Sequence, residues 1–231
     1  MDGSTKTPDP LPDGSSSTYR EGVRAAVPLA LVVGIFGISW GVLAGDAGFG
    51  VPAALVMSST TFGASAQFAA VSILANGGGV GAAVVAAVLL NARYGPIALS
   101  VAPTITGNAV LRLLQSHMVI DESWALANQG GGRFDRRLLV GAGALMYVAW
   151  VAGTAAGVLG GDLLGKPANF GLDAAFPALF VALLAPQVRE RRPVAAAILG
   201  GAIALALVPF TRAGVPVMAA SAGCLLGLRK G

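Results

Sequence analysis

Hydrophobic and polar positions along this chain fall into long blocks rather than alternating or recurring every third or fourth residue. Apolar blocks run from Val23 to Leu43, from Val51 to Ala75 and from Val80 to about Leu111. A polar segment, Arg112 to Arg137, comes next, and then the blocks Leu138–Leu159, Ala174–Pro186, Val194–Phe210 and Val215–Leu228. A helix needs about 20 apolar residues to cross a bilayer, and fewer where flanking groups snorkel or the bilayer thins. The blocks therefore predict membrane-spanning or re-entrant helices over residues 21–231. Residues 1–20 contain Pro, Asp, Ser and Gly and almost nothing that can be buried. They predict a disordered tail with no apolar stretch to act as a cleaved signal.

Composition places the chain in the membrane class. Hydrophobic residues make up 55% of it and charged residues 11%, against roughly a quarter charged in soluble domains. The mean hydropathy is +0.74. Gly is used 33 times while aromatics reach only 6%, so helices are expected to pack closely through small residues. The net charge of +4 does not mark a nucleic-acid binder, because the basic residues sit at the ends of apolar blocks. The single cysteine, Cys224, has no partner for an intramolecular disulfide and reads as a small apolar helix residue. Zinc-site spacings are absent.

Charge also predicts topology. Arg20 and Arg24 precede the first block; Arg112, Arg133, Arg136 and Arg137 flank the central segment; Arg189, Arg191 and Arg192 form a basic loop; Arg229 and Lys230 end the chain. All of these are cytoplasmic, as are both termini, only if an even number of crossings separates each cluster from the next. Three apolar blocks precede Arg112, so one must enter and return. The interruption Asn91-Ala-Arg93-Tyr94-Gly95-Pro96 in the third block is the expected reversal, as a re-entrant hairpin or as two short crossings. A weak internal repeat agrees with this parity. Gly41-Val-Leu-Ala-Gly-Asp46 echoes Gly157-Val-Leu-Gly-Gly-Asp162, Phe49–Ala54 echoes Phe170–Ala175, and Arg93–Pro96 loosely echoes Arg212–Pro216. Two parallel halves are expected, about 21–111 and 138–228, joined by a cytoplasmic interfacial segment 112–137.

Candidate chemistry lies where polar groups interrupt the blocks. Ser58-Ser-Thr-Thr-Phe-Gly-Ala-Ser-Ala-Gln67 puts six polar side chains in the middle of the second block. At about 100° per residue they spread around the whole helix. Back-bonding of hydroxyls to their own helix accounts for Ser and Thr but not for Gln67 in hydrocarbon. A helix broken around Gly63, with Ser59, Thr60, Gly63 and Gln67 facing a cavity, accounts for both. Asn91 and Arg93 are the second candidates. Arginine in an apolar run faces a partner or a water-filled cavity, here either a substrate carboxylate or groups that pin the hairpin. Asp173 begins the fifth block and reads as a helix cap, with proton coupling as the alternative. From Ala109 to Leu126 apolar residues recur at near-helical spacing and predict one amphipathic helix along the interface. His117, Asp121 and Glu122 lie on it, with His117 and Asp121 four apart on one face. They are candidates for an interfacial anchor or for a gate or proton relay. No hydrolase arrangement and no P-loop is present, so neither catalysis nor direct ATP use is expected, and no cofactor or metal.

Phe62-Gly-Ala-Ser-Ala-Gln67-Phe68, Asn91-Ala-Arg93-Tyr94, His117-Met-Val-Ile-Asp121-Glu122-Ser-Trp-Ala-Leu126 and Gly171-Leu-Asp173-Ala-Ala-Phe176 occur in this order. Together they resemble the AzlC family of branched-chain amino-acid transport proteins, over roughly Gly22 to Leu228. One departure is the immediate turn through Gly95-Pro96, where the family often has a basic or aromatic run. The resemblance implies export of leucine, isoleucine, valine or analogues, with a short AzlD-type membrane subunit as partner. The expected protein is an all-α integral membrane protein of about six to eight transmembrane or re-entrant helices in two weakly similar halves, with broken helices. It is read as an exporter in the cell membrane driven by an ion gradient. A passive channel for small polar solutes and a non-transporting scaffold subunit are the rival readings.

Overall fold

The computed structural model describes residues 17–164, 191–211 and 215–220. Asp173, the repeat echoes at 170–175 and 212–216, and the block 174–186 lie outside the described residues. Within them the regular elements are helices, and an isolated bridge joins Asn128 and Phe134.

Two long apolar helices form the frame. α1 spans Tyr19–Asp46 and α8 spans Arg136–Leu164; at 1.5 Å per residue each is about 42 Å long, enough for a hydrocarbon core of about 30 Å. Both starts are capped by polar side chains just outside the apolar run. Thr18 Oγ1 accepts from the Glu21 amide at 3.2 Å, and the Glu21 carboxylate accepts from the Thr18 amide at 2.7 Å, a reciprocal cap. Asp135 accepts from the amides of Arg137 (2.8 Å) and Leu138 (3.0 Å) and from the Ser17 hydroxyl. Partial burial works to raise the Asp135 pKa. The donated hydrogen bonds, with the charge of Arg137, outweigh it and hold the carboxyl below its usual range.

α1 and α8 run parallel and almost touch along their backbones. Gly37 faces Trp150 and Gly153, Gly41 faces Thr154 and Gly157, and Gly22 faces Leu138. A Cβ on Gly37 would lie 2.6 Å from the Trp150 carbonyl oxygen, and one on Gly157 would press into the Ile38 carbonyl. Only hydrogen fits at these four-residue intervals, which is how small residues let membrane helices meet. The first repeat echo, Gly41–Asp46 with Gly157–Asp162, includes this contact. Both helices begin at the basic end of the molecule, which carries Arg20, Arg24, Arg136 and Arg137.

The chain between them contains the reversal, at a place other than the expected one. α2 (Val51–Thr61) and α3 (Ala64–Ala75) are separated by Phe62 and Gly63, so the helix is broken where the polar cluster predicted. Gln67 Nε2 donates to the Met57 carbonyl at 3.3 Å, and Met57 packs against the cluster containing Ala70 and Ile73. In a continuous helix residues 57 and 67 would be about 15 Å apart. The chain has therefore doubled back, and α2 and α3 form a re-entrant hairpin opening toward the end where α1 finishes. α4 (Val80–Asn91) packs antiparallel on α3 through Ala83 and Ala86. α5 (Tyr94–Val101) then continues α4 with a bend of 41°. The hairpin expected at Asn91–Pro96 is thus a kink in one broken span, and Arg93 sits in the break partway along it rather than at a hairpin tip. Pro96 is the third residue of α5, where a missing N–H leaves no helical bond unmade, so the proline is accommodated without a turn. Val101 packs with Ala127 and Leu139 near the start of α8, which brings this span back to the basic end.

The polar segment differs from expectation as well. Ala109–Leu126 is two helices, α6 (Ala109–His117) and α7 (Asp121–Ala127), because Ile120 is extended (φ −127°, ψ 170°). Ser123 Oγ fastens the turn by donating to the Met118 carbonyl at 2.8 Å and accepting from the Ile120 amide at 3.0 Å. From Thr106, which accepts from Arg136 at 2.9 Å, α6 leads inward to a tip at residues 118–120. α7 then returns to Leu139. This is a second hairpin, opening toward the basic end. One hairpin in each direction leaves α1 and α8 parallel. Beyond α8, α9 (Arg191–Leu207) packs with α10 (Val215–Ala220), and α10 reaches α4.

Candidate functional site

The two hairpin tips meet between the middle thirds of α1 and α8. Breaking α2 after Thr61 deprives its last carbonyls of their helical donors. The Ser59 carbonyl finds two replacements from other elements: His117 Nε2 at 2.8 Å and the Tyr147 hydroxyl at 3.3 Å. The same rings hold Phe62, which lies 5.9 Å from His117 and edge-on to Tyr147 at 5.3 Å between centroids. Phe62 has φ +32°, a left-handed conformation that costs a bulky residue on the order of 1–3 kcal/mol. The opposite hairpin and α8 therefore hold the α2/α3 tip in a geometry it would not keep alone.

Beside this contact is a cavity of about 100 Å³, well above the space one water needs. Leu29, Val32, Val33 and Phe36 of α1 make an apolar wall. Arg93, Ser65, Asp121 and Glu122 supply the polar groups, and Phe62, Tyr94, Ile120 and Trp150 complete the lining. Arg93 sits in the break between α4 and α5. Its Nη2 is 2.9 Å from Asp121 Oδ2 and donates to Ser65 Oγ at 3.1 Å. Its guanidinium also lies 5.2 Å from the centre of the Tyr94 ring, within cation–π range. Arg93 Nε is buried with no hydrogen-bond partner. The Arg93 and Asp121 side chains are 27% and 31% exposed, so a bound molecule has access to both. Glu122 lines the cavity with no cation within ion-pair distance among the described residues.

The sequence candidates divide at this point. Arg93, Asp121 and Glu122 come together in the cavity, although His117 and Asp121 do not share a helix face, because α6 ends at His117 and α7 begins at Asp121. His117 lies at the hairpin contact. The Ser59 and Thr60 hydroxyls both donate to the Val56 carbonyl of their own helix, at 3.1 and 2.7 Å. Gly63 packs on Asn91, whose Oδ1 would lie 3.1 Å from a Cβ there. Gln67 is fully buried against Met57. These five support the break without lining the cavity. Sequence reasoning missed Ser65, Tyr94 and Tyr147 and the α1 wall. Ser65 and Tyr94 stood inside motifs already singled out, whereas Leu29, Val32, Val33 and Phe36 look like any lipid-facing span. Among the described residues no group of three or more His, Cys, Asp or Glu side chains is placed to hold a metal ion.

Comparison with known proteins adds sequence relatives. The profile of the AzlC protein family matches residues 28–164, which takes in both hairpins and the cavity. An uncharacterized membrane protein of Archaeoglobus fulgidus is 32% identical over 222 residues, 91% of this chain and 94% of the relative. The inner membrane protein YgaZ of Escherichia coli K12 is 25% identical over 239 residues, 96% of this chain and 95% of the relative. No solved structure matches the chain at a comparable level.

Proposed function

The chain belongs to the AzlC family of membrane proteins, and from that premise we propose that it is a carrier for branched-chain amino acids with the cavity at the hairpin tips as its substrate site. The observation that carries this reading is the position of the cavity, between two hairpins that open toward opposite ends of the molecule. Withdrawal of the α2/α3 tip would open the site to one side, and withdrawal of the α6/α7 tip to the other. Transporter sites commonly lie at the midplane beside broken helices. The wall of Leu29, Val32, Val33 and Phe36 suits an aliphatic side chain, and the part-exposed guanidinium of Arg93 suits a carboxylate.

Further parts of the proposal come from the family resemblance and from charge. The basic end is cytoplasmic by the positive-inside rule and the membrane is the cell membrane. Transport is export driven by an ion gradient, with a short AzlD-type membrane subunit as partner and no enzymatic step. The test is counterflow in proteoliposomes. Vesicles loaded with unlabelled leucine should transiently accumulate external labelled leucine, with valine and isoleucine competing. Uptake that neither saturates nor shows counterflow would point to a channel, and its absence without the small subunit to an obligate complex. Arg93→Lys keeps the charge but loses the planar fork. It should weaken leucine binding by about tenfold, or about 1.4 kcal/mol, at unchanged protein abundance. Unaltered affinity in that variant would remove Arg93 from carboxylate recognition.

A further inference from the structure

The cavity holds one cation and two carboxylates, and the three are not equivalent. Asp121 is paired with Arg93 at 2.9 Å. Glu122, the next residue in the first turn of α7, lines the same space and makes no ion pair among the described residues. The polar side of the cavity thus presents a guanidinium–carboxylate pair with a second carboxylate beside it that makes no ion pair among the described residues, and the remaining wall is apolar and aromatic. A carboxylate without a counter-charge in such an enclosure favours a cation that can pair with it.

We propose that Glu122, assisted by Asp121, is the receptor for a substrate ammonium group, and that the bound molecule is an α-amino zwitterion inserted into the Arg93–Asp121 pair. This deepens the carrier reading and rests on it. A ligand with both charges on substituents of one carbon matches receptors that already touch. Its carboxylate takes Arg93, and its ammonium takes the carboxylates that Arg93 leaves. A purely anionic ligand would add a third negative charge beside one guanidinium in a largely apolar enclosure, where like charges repel strongly. An anionic analogue of the same shape is therefore disfavoured by charge rather than by size. The apolar wall of α1 then sorts ligands by side chain. The empty site keeps Arg93 neutralised by Asp121, so the ion pair acts as an internal stand-in for the substrate carboxylate.

The experiment is calorimetric titration of the purified full chain in nanodiscs with leucine and with 4-methylpentanoate, the same skeleton without the ammonium group. The wild-type protein should bind leucine at least about tenfold more tightly, a difference of about 1.4 kcal/mol. Glu122→Gln should lose about that factor for leucine and keep or improve its affinity for 4-methylpentanoate. Glu122→Asp should recover part of the preference. Leucine and 4-methylpentanoate binding equally well to wild type would overturn the ammonium site while leaving the carrier reading intact, and needs no folded variant. Wild-type affinity for leucine in a folded Glu122→Gln protein would overturn it too, as would equal weakening toward both ligands. If neither leucine nor valine nor isoleucine binds wild type, the amino-acid reading falls and takes the ammonium site with it.

Discussion

The α1/α8 pair and the hairpin contact occupy the same depth of the molecule and solve opposite problems. Along α1 and α8 the backbone bonds are made within each helix, glycines allow the two backbones to approach, and few polar side chains interrupt the seam. At the hairpin tips the helices are broken. Carbonyls seek donors from other elements, and a phenylalanine holds a left-handed conformation. The first region is held by continuous backbone approach, and the second by a few directional contacts. In the proposed carrier the first is the frame and the second the gate.

The largest effect that would test this contrast is on the frame. Gly157→Leu forces a side chain into the Ile38 backbone, which has no rotamer to change. Overpacking against backbone at such a seam should cost about 3 kcal/mol or more and leave little monodisperse protein on size exclusion in detergent. A well-folded Gly157→Leu protein would mean that α1 and α8 are free to move apart, and the division into frame and gate would fail. The next effect is on the gate. His117→Phe combined with Tyr147→Phe removes both donors from the Ser59 carbonyl while keeping aromatic packing around Phe62. Each single change should be tolerated because the other donor remains. The pair should cost roughly 1–3 kcal/mol for an unsatisfied carbonyl, and hydrogen exchange at residues 58–65 should rise while exchange in α1 and α8 stays put. Equal loosening throughout would show that the tips are part of one rigid body with the frame.

The smallest effect concerns the cap on the frame, outside the membrane. Asp135 has its pKa depressed in the folded protein. Its contribution is therefore present above the ordinary carboxylate range and is lost as pH falls through the folded value. Asparagine caps helices nearly as well as aspartate, so Asp135→Asn should change stability at neutral pH by less than about 1 kcal/mol. It should also flatten the acid limb of the melting curve. An acid limb as steep as that of wild type would assign the dependence to other carboxylates.

The reach of sequence reasoning follows the same division. The apolar blocks within the described residues, the broken helix at Gly63 and the polar groups worth attention were legible, because each depends on local chemistry. Charge parity asked for one reversal before Arg112. Parity did not say which block reverses. Asn91–Pro96 carries a proline and an arginine and looks like a turn, yet Pro96 fits the first turn of α5 and the span merely bends. Phe62-Gly63 carries no proline, yet it folds the chain back, with Phe62 in a left-handed conformation packed against rings from α6 and α8. The segment from Ala109 to Leu126 has helical periodicity throughout, and nothing local announces the extended Ile120 that splits it.

By itself the sequence determined that this chain lives in a bilayer as helices, where those helices weaken, and which charged side chains are too costly to lie there idle. These follow from transfer free energies and backbone geometry, which act residue by residue. Only the tertiary structure decided that Arg93 meets Asp121 beside Glu122, that Ser59 is held by His117 and Tyr147, and that four ordinary-looking apolar residues of α1 wall the cavity. Such pairings depend on which broken ends face each other across the fold, and that is a property of the packed helices together rather than of any one segment.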